Sequence, residues 1–205
     1  MAVLLALSCG DAGPGGEHGP AVLVEGDPGT GRGLARRASG VPAGSQKVVV
    51  TGHTDGDTIR LRLVTTGVAG RRGEELRVRL LEVDAPEMGG PRSDVEECYA
   101  AEASTALARL VPVGSTAWAG ADRDLLDPYG RTLLYLWTVR DGEFVFVNRR
   151  LVARGFATAA LYEPNDRYID VMRAAERRAQ LDERGLWGAC GWCAGRCLAW
   201  REGEP

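Results

Sequence analysis

Apolar and polar residues alternate in several short stretches between residues 48 and 147. Alternation of this kind is typical of strands that bury one face and leave the other polar. It predicts five strands, at residues 48–51, 59–63, 76–80, 115–119 and 131–139, with a short extra piece at 143–147.

Helical spacing of apolar residues predicts three helices, at residues 96–111, 148–154 and 166–184. Asp94, with Glu97 three residues later, is the expected start of the first helix, and Asn165 is the expected cap of the third. Gly155 and Gly185 are the expected ends of the second and third helices. The element order predicts an α+β domain that is mainly β, a five-stranded OB-type barrel with three α-helices.

The composition supports one folded domain, which the pattern places at residues 46–189. A chain of 205 residues with 44% apolar composition is long enough for one packed core. The formal net charge of -3 predicts no general attraction for polyanions. Any polyanion binding must therefore come from a local cluster of charges.

The N-terminal 45 residues read differently from the rest. Residues 1–9 are mostly apolar and fit the end of an export signal, and the segment that ends at Cys9 loosely resembles a lipoprotein cleavage box. Cys9 would then carry a lipid that tethers the protein to a membrane. A frayed apolar N-terminus is an equally good interpretation. Residues 10–45 are rich in Gly and Pro and predict a flexible tether.

The other four cysteines are Cys98, Cys190, Cys193 and Cys197, and three of them lie in a C-terminal tail at residues 190–205. An even number after an export signal favours disulfides in an oxidising, extracytoplasmic compartment, with Cys98 to Cys190 as one candidate bridge. Zinc held by the thiolates is the alternative, although the spacing is only loosely metal-like.

Two carboxylates, Asp55 and Asp57, lie just before the second predicted strand. Asp and Gly are common in turns, so a simple turn is the bland explanation for Asp55-Gly56-Asp57-Thr58. Asp57, however, has the same strand parity as Ile59 and Leu61, and a lone carboxylate on an apolar face is costly unless it is paired or metal-bound. The parity therefore favours a role for Asp57 beyond the turn.

Arg131 raises the same question, because it has the parity of apolar residues in its own strand and a guanidinium on that face needs an anion. The orientation of Arg79 stays open, since the apolar pattern changes phase just after it. In Asp84-Ala85-Pro86-Glu87, Pro86 should end the strand and leave the Ala85 carbonyl free. An acidic strand-ending loop is the bland alternative there.

These segments occur together and in one order, and the chain resembles the staphylococcal nuclease (thermonuclease) family from about residue 48 to 187. The matching segments are Asp55-Gly56-Asp57-Thr58, Arg79-Leu80-Leu81 with Asp84-Ala85-Pro86-Glu87, Cys98-Tyr99 with Glu102-Ala103-Ser104, Tyr129-Gly130-Arg131, Val147-Asn148 with Leu151-Val152, and Tyr162-Glu163-Pro164-Asn165.

The resemblance implies an OB-type barrel and a Ca²⁺-dependent endonuclease that cuts DNA and RNA and leaves phosphate on the 3′ side. It implies that Asp57, Asp84 and the Ala85 carbonyl bind Ca²⁺, with Asp55 supporting the water around the ion. Oxygen-only ligands also favour calcium over zinc on general grounds.

The same resemblance implies catalytic roles for Glu87, as acceptor of a proton from the attacking water, and for Arg79 and Arg131, which would grip the phosphate. Tyr129 and Tyr162 would contact the nucleotide. No protein partner is implied.

The chain departs from the family pattern at two nucleotide contacts. Ala160 stands where a second tyrosine is common, and Pro128 stands where a basic residue often precedes Tyr129. These departures leave an alternative function open, a non-catalytic OB-fold module that binds nucleic acid or a partner.

Overall fold

The barrel predicted from the alternating pattern is present. The computed structural model describes residues 41–89 and 96–191. Its strands are β1 (Gln46–His53), β2 (Thr58–Leu63), β3 (Glu75–Leu80), β4 (Val83–Asp84), β5 (Thr116–Gly120), β6 (Thr132–Arg140), β7 (Glu143–Phe146) and β8 (Thr158–Ala159). Its helices are α1 (Ala100–Leu110), α2 (Val147–Ala153), α3 (Ile169–Leu181) and the one-turn α4 (Leu186–Ala189).

Five strands close the barrel in the order β3-β2-β1-β5-β6, and a parallel pairing of β3 with β6 joins the two ends. β7 adds to the outer edge of β6, while β4 and β8 form a separate two-stranded pair. The barrel interior holds apolar side chains from alternate strand positions, such as Val48, Ile59 and Leu134, together with Leu107 of α1 and Met172 of α3. Apolar burial by strands and helices together therefore builds a single main core.

β6 is buried on both faces, so the apolar parity of Arg131 does not by itself place that residue inside the barrel. Leu134 and Leu136 point into the main core. Leu133, Tyr135 and Trp137 instead form a second cluster with Leu81 on the other side of the strand. The face that shares the parity of Arg131 is thus apolar, as expected, but it lies outside the barrel.

α1 begins later than its spacing predicts. It starts at Ala100, directly after Tyr99, whose φ is 75°. The predicted cap Asp94 lies outside the described residues. Cys98, next to this start, forms a disulfide with Cys190, as the cysteine count suggested. Cys9, Cys193 and Cys197 lie outside the described residues, so their predicted lipid, disulfide or zinc chemistry stays a prediction.

The predicted cap of α3 is also wrong. α3 begins at Ile169, and the buried side chain of Asn165 instead accepts hydrogen bonds from the backbone N–H groups of Arg123 and Asp124, both at 2.9 Å. Its amide also donates to the Asp124 carbonyl at 3.2 Å. Asn165 therefore fixes the loop between β5 and β6 to the segment that carries Tyr162. None of the described helices is long and apolar enough to cross a membrane.

Candidate active site

The turn before β2 is held by Asp55. Its Oδ1 accepts the backbone N–H groups of Asp57 at 3.1 Å and Thr58 at 2.6 Å. A role in the turn is therefore sufficient to explain Asp55, since its carboxylate closes the turn. A further role near a metal ion stays a prediction for this residue.

Gly56 allows this turn to pack tightly. A Cβ atom at Gly56 would lie 2.6 Å from the Ala85 Cβ and 2.9 Å from the Ala103 Cβ, closer than real contacts of this kind. The turn, the segment after β4 and α1 can meet only because this position lacks a side chain. Gly56 thus sets the position of its neighbour Asp57 relative to Ala85.

Arg79 of β3 bridges two carboxylates at the centre of the site. Its Nη1 forms an ion pair with Oδ2 of Asp57, and its Nη2 lies 2.5 Å from Oδ1 of Asp84. Arg79 is 4% exposed and Asp57 3%, whereas the Asp84 side chain is about half exposed. The Asp57 carboxylate also accepts the Ala85 N–H at 2.8 Å. The buried charge on Asp57 is therefore compensated, as its parity required.

The Arg79 guanidinium also contacts Tyr162. Nη2 donates to the Tyr162 hydroxyl at 2.5 Å, and Cζ lies 5.5 Å from the centre of the tyrosine ring. Nε of Arg79 is buried and has no hydrogen-bond partner in the described parts of the chain. A buried N–H without a partner is costly, so this atom is a candidate donor to a ligand.

Arg131 is held by Asp127 just before β6. Nε of Arg131 donates to Oδ2 of Asp127 at 2.6 Å, while Oδ1 accepts the backbone N–H groups of Arg131 and Tyr129. Burial alone would raise the pKa of Asp127, but these bonds and the charge of Arg131 outweigh it and hold that pKa below its usual range. Cζ of Arg131 lies 5.5 Å from the ring centre of Tyr129, which is 70% exposed.

The register of β3 and β6 brings the two arginines to the same side of the sheet. Arg79 is paired with Leu133 in the parallel ladder, and paired residues point to the same face. Arg131 lies one residue before β6 begins, and alternation continued past the strand end would give it the orientation of Leu133. The ambiguous orientation of Arg79 is resolved by its pairing with Leu133, which places it on the outer face of the barrel.

Glu87 is exposed and its backbone is anchored. Its N–H donates to Oε2 of Glu97 at 2.9 Å, and its carbonyl accepts the Glu97 N–H at 3.0 Å. Glu97 was expected to lie in the first turn of the helix, but α1 begins three residues later and Glu97 positions the Glu87 backbone. The side chain of Glu87 is left at the surface three residues after Asp84.

Glu82 is the main buried group that the sequence did not indicate. It lies between β3 and β4, is completely buried, and accepts the hydroxyl of Tyr135 at 2.6 Å and the N–H of Tyr168 at 3.0 Å. Its Oε2 has no hydrogen-bond partner among the described residues. Burial raises the pKa of Glu82 to about 7, although both hydrogen bonds lower it and the charges of Asp122 and Asp166 raise it further. The sequence does carry one indication of this buried group, a carboxylate within the otherwise apolar run Leu80-Leu81-Glu82-Val83.

The donor atoms at the centre of the site fit a hard cation. Asp57 and Asp84 offer carboxylate oxygens around one guanidinium, and Ala85 follows directly with its carbonyl; Ca²⁺ and Mg²⁺ prefer oxygens of these types. No group of three or more His, Cys, Asp or Glu side chains able to hold a metal occurs in residues 41–89 and 96–191. A bound cation would therefore use two carboxylates and complete its shell with other oxygens.

Comparisons with known proteins identify relatives of this chain. A family-wide sequence model described as "Staphylococcal nuclease homologue" matches residues 77–189. The chain is 33% identical over 133 residues to a protein named thermonuclease from Staphylococcus intermedius, covering 65% of the chain and 71% of that protein.

Two further relatives have similar sequence identity to the chain. The chain is 31% identical over 145 residues to the thermonuclease of Staphylococcus hyicus, covering 71% of the chain and 78% of that protein. It is 35% identical over 143 residues to endonuclease YncB of Bacillus subtilis (strain 168), covering 69% of the chain but only 62% of the relative. The match of the family model over more than half of the chain, together with these relatives, shows that the chain belongs to the staphylococcal nuclease family.

Proposed function

We propose that this protein is an endonuclease that hydrolyses phosphodiester bonds of DNA and RNA, depends on Ca²⁺ and leaves 3′-phosphate ends. The observation that carries the proposal is the Arg79 guanidinium, which joins Asp57 and Asp84 and whose buried Nε has no hydrogen-bond partner in residues 41–89 and 96–191. The nuclease and endonuclease names of the relatives support the reaction class.

The two arginines would bind the scissile phosphate. Nε of Arg131 donates to Asp127, and no hydrogen bond or ion pair of its two terminal nitrogens occurs within the described part of the chain, so both could donate to phosphate oxygens. Arg79 approaches the same side of the sheet from the neighbouring strand. Guanidinium groups fixed in this way stabilise the charge that grows on phosphate oxygens in the transition state.

Glu87 would accept the proton of the attacking water. Its side chain is exposed to solvent, where a water molecule can reach it, while Glu97 fixes its backbone. A carboxylate in this role must be accessible to water and must be held on a fixed backbone. The exposure and the backbone contacts of Glu87 support both conditions.

Asp57, Asp84 and the Ala85 carbonyl would hold Ca²⁺, with Asp55 supporting the surrounding water. When bound, the ion supplies positive charge next to the phosphate oxygens and helps to orient the substrate. Before binding, Arg79 supplies one positive charge that partly compensates the two carboxylates.

Tyr129 and Tyr162 would contact the nucleotide on either side of the arginines. Tyr129 presents an exposed ring next to Arg131, and the Tyr162 hydroxyl is already fixed by Arg79. Ala160 and Pro128 stand where two nucleotide contacts are common in the family. Fewer side chains therefore contact the nucleotide, and we expect a weak base preference.

An extracytoplasmic location is part of the proposal. The Cys98–Cys190 disulfide supports it, because such bonds persist mainly in oxidising compartments. Secretion and a membrane tether through Cys9 remain predictions.

Cleavage of denatured DNA in calcium and in chelator tests the proposal, with Arg131→Ala as the informative variant. We expect fragments only with calcium, 3′ ends that a polymerase extends only after phosphatase treatment, and about 100-fold or greater loss of turnover in the variant. Arg60→Ala removes an exposed arginine from β2 and serves as the matched control. Arg79→Ala is less informative, because loss of one partner of a buried ion pair costs about 3–5 kcal/mol of stability.

The outcome also separates catalysis from simple binding. Cleavage that persists in chelator would contradict the metal dependence. Binding of DNA without any fragments would favour the non-catalytic module. Equal activity of the Arg131→Ala and Arg60→Ala variants would remove the assigned role of Arg131.

A further inference from the structure

A cavity of about 770 Å³ lies outside the site described above. It is bounded by α1, by α2 and the residues that follow it, and by the far end of β6, and it includes no residue assigned to cleavage. We call it the α1–α2 groove and define it by its charged and aromatic lining: Arg109, Arg140, Arg150, Arg154, Tyr99 and Phe156.

The groove concentrates positive charge on an acidic protein. Its lining contains four arginines and one acidic residue, Glu102, whereas the whole chain carries a net charge of -3. Arg109, Arg150 and Arg154 are exposed and form no ion pair within residues 41–89 and 96–191. Like charges held close together repel each other, so an anionic ligand would be favoured here.

The groove arginines come from different structural elements. Arg150 and Arg154 lie four residues apart and therefore on the same side of the α2 end. From β6, Nη1 of Arg140 donates to the carbonyl of Arg109 at 3.1 Å, which fixes the Arg140 side chain against α1. Positive groups on two walls suit an elongated anion better than a single small one.

Aromatic rings form another part of the lining. The rings of Tyr99 and Phe156 are stacked, with centroids 5.8 Å apart and planes 20° from parallel. Leu110 and Leu151 contribute apolar surface beside them. A cationic groove with aromatic side chains is the usual composition of a site for single-stranded nucleic acid. An acidic protein would use the charges but would not need the rings.

The groove leads away from the proposed cleavage site. Tyr99 lies two residues after Glu97, which anchors Glu87. Arg140, by contrast, is nine residues beyond Arg131 along β6, at most about 30 Å away at roughly 3.3 Å per residue. A strand that enters at the Tyr99 end could continue past the arginines.

We propose that the α1–α2 groove binds the phosphate backbone of single-stranded nucleic acid several nucleotides away from the bond that is cut. The proposal rests on nucleic acid being the substrate and adds a second contact region for it. This region would compensate for the small number of nucleotide contacts around Tyr129 and Tyr162.

Binding of a long, fluorescent single-stranded oligonucleotide in chelator tests the groove without cleavage. Arg150→Ala with Arg154→Ala should weaken binding roughly tenfold or more at low salt. The slope of log affinity against log salt should become shallower by about 1.4, since each lost phosphate contact on a single strand contributes about 0.7.

A matched double variant is available on α3. Arg173 and Arg177 have the same four-residue spacing, are exposed, and lie outside the groove. Arg173→Ala with Arg177→Ala changes the net charge equally and should leave affinity within about twofold. Equal affinities for the two double variants would overturn the proposal. Arg140→Ala at the end of β6 provides a second test and should also weaken binding.

A cleavage comparison distinguishes this proposal from the proposed activity. With the groove variant, kcat/KM should fall for a long strand but stay unchanged for a dinucleotide that cannot reach the groove. Equal losses for both substrates would overturn the groove. If the wild-type protein cuts neither substrate, the proposed activity fails, while the oligonucleotide affinities still decide whether the groove binds nucleic acid.

Discussion

Replacing Glu82 by glutamine should remove the contribution of this one carboxyl to the pH dependence of the protein's stability. The Glu82 carboxyl is completely buried between β3 and β4, next to the hydroxyl of Tyr135 and the backbone of Tyr168. Asp122 and Asp166 add negative charge from the facing segments. In this setting the neutral carboxyl is favoured, and burial raises its pKa to about 7.

The size of the effect follows from the two protonation states. The ordinary pKa is 4.5, so between 4.5 and about 7 the folded protein keeps a proton that the unfolded chain releases. The resulting stabilisation is complete below pH 4.5 and is lost as the pH rises through about 7. The gap corresponds to about 3 kcal/mol of unfolding free energy. Glutamine has a similar shape but does not titrate.

Urea denaturation followed by tryptophan fluorescence measures the prediction. Between about pH 5 and about pH 9, the stability of Glu82→Gln relative to wild type should rise by roughly 2–3 kcal/mol. Glu143→Gln, at an exposed position of β7, is the control and should keep a constant difference. If the stability difference between Glu82→Gln and wild type is also constant across this range, the buried carboxyl does not titrate as argued.

The remaining predictions concern stability. Cys98→Ser removes a bridge to Cys190 that spans 92 residues of chain, and urea denaturation should show a loss of about 4 kcal/mol; an unchanged midpoint would refute a stabilising bridge. Gly56→Ala should cost about 1–3 kcal/mol and reduce cleavage, because its methyl would collide with Ala85. Gly52→Ala, whose methyl would meet only ordinary contacts at 3.6 Å and beyond, should be far milder, and equal losses for the two glycine variants would argue against close packing at Gly56.

The barrel strands could be predicted because their signal is local. Alternation over a few residues is visible within each strand, and β1, β2, β3, β5 and β6 all appear where the pattern placed them. β4 and β8 could not be found in this way. Each has only two residues, and their pairing joins Val83 to Ala159 across a long stretch of chain.

The helix starts and caps were harder to predict because distant contacts decide them. Asn165 has the chemistry of a cap, but it satisfies backbone groups of the loop before β6 instead. Glu97 looks like part of a capping box, but it binds the backbone of Glu87. Local sequence cannot distinguish these uses of the same hydrogen-bonding groups.

The candidate site was predicted in part. The parity of Asp57 indicated a buried charge that needs a partner, and Arg79 is that partner. The same reasoning placed Arg131 on an apolar face but could not tell that both faces of β6 are buried. The burial of Glu82 could not be predicted because it depends on Tyr135, more than fifty residues away. The catalytic and metal-binding roles themselves stay predictions.

The calcium dependence of DNA cleavage in wild type and in Asp84→Asn tests the central claim most directly. Asp84 is half exposed, so the isosteric change should leave the fold intact. In wild type, the rate should rise from none in chelator to a plateau as free calcium increases. In the variant, the calcium requirement should increase tenfold or more. Cleavage at the same rate with and without calcium would contradict the proposed metal dependence. The same calcium dependence in both proteins would contradict the proposed role of Asp84.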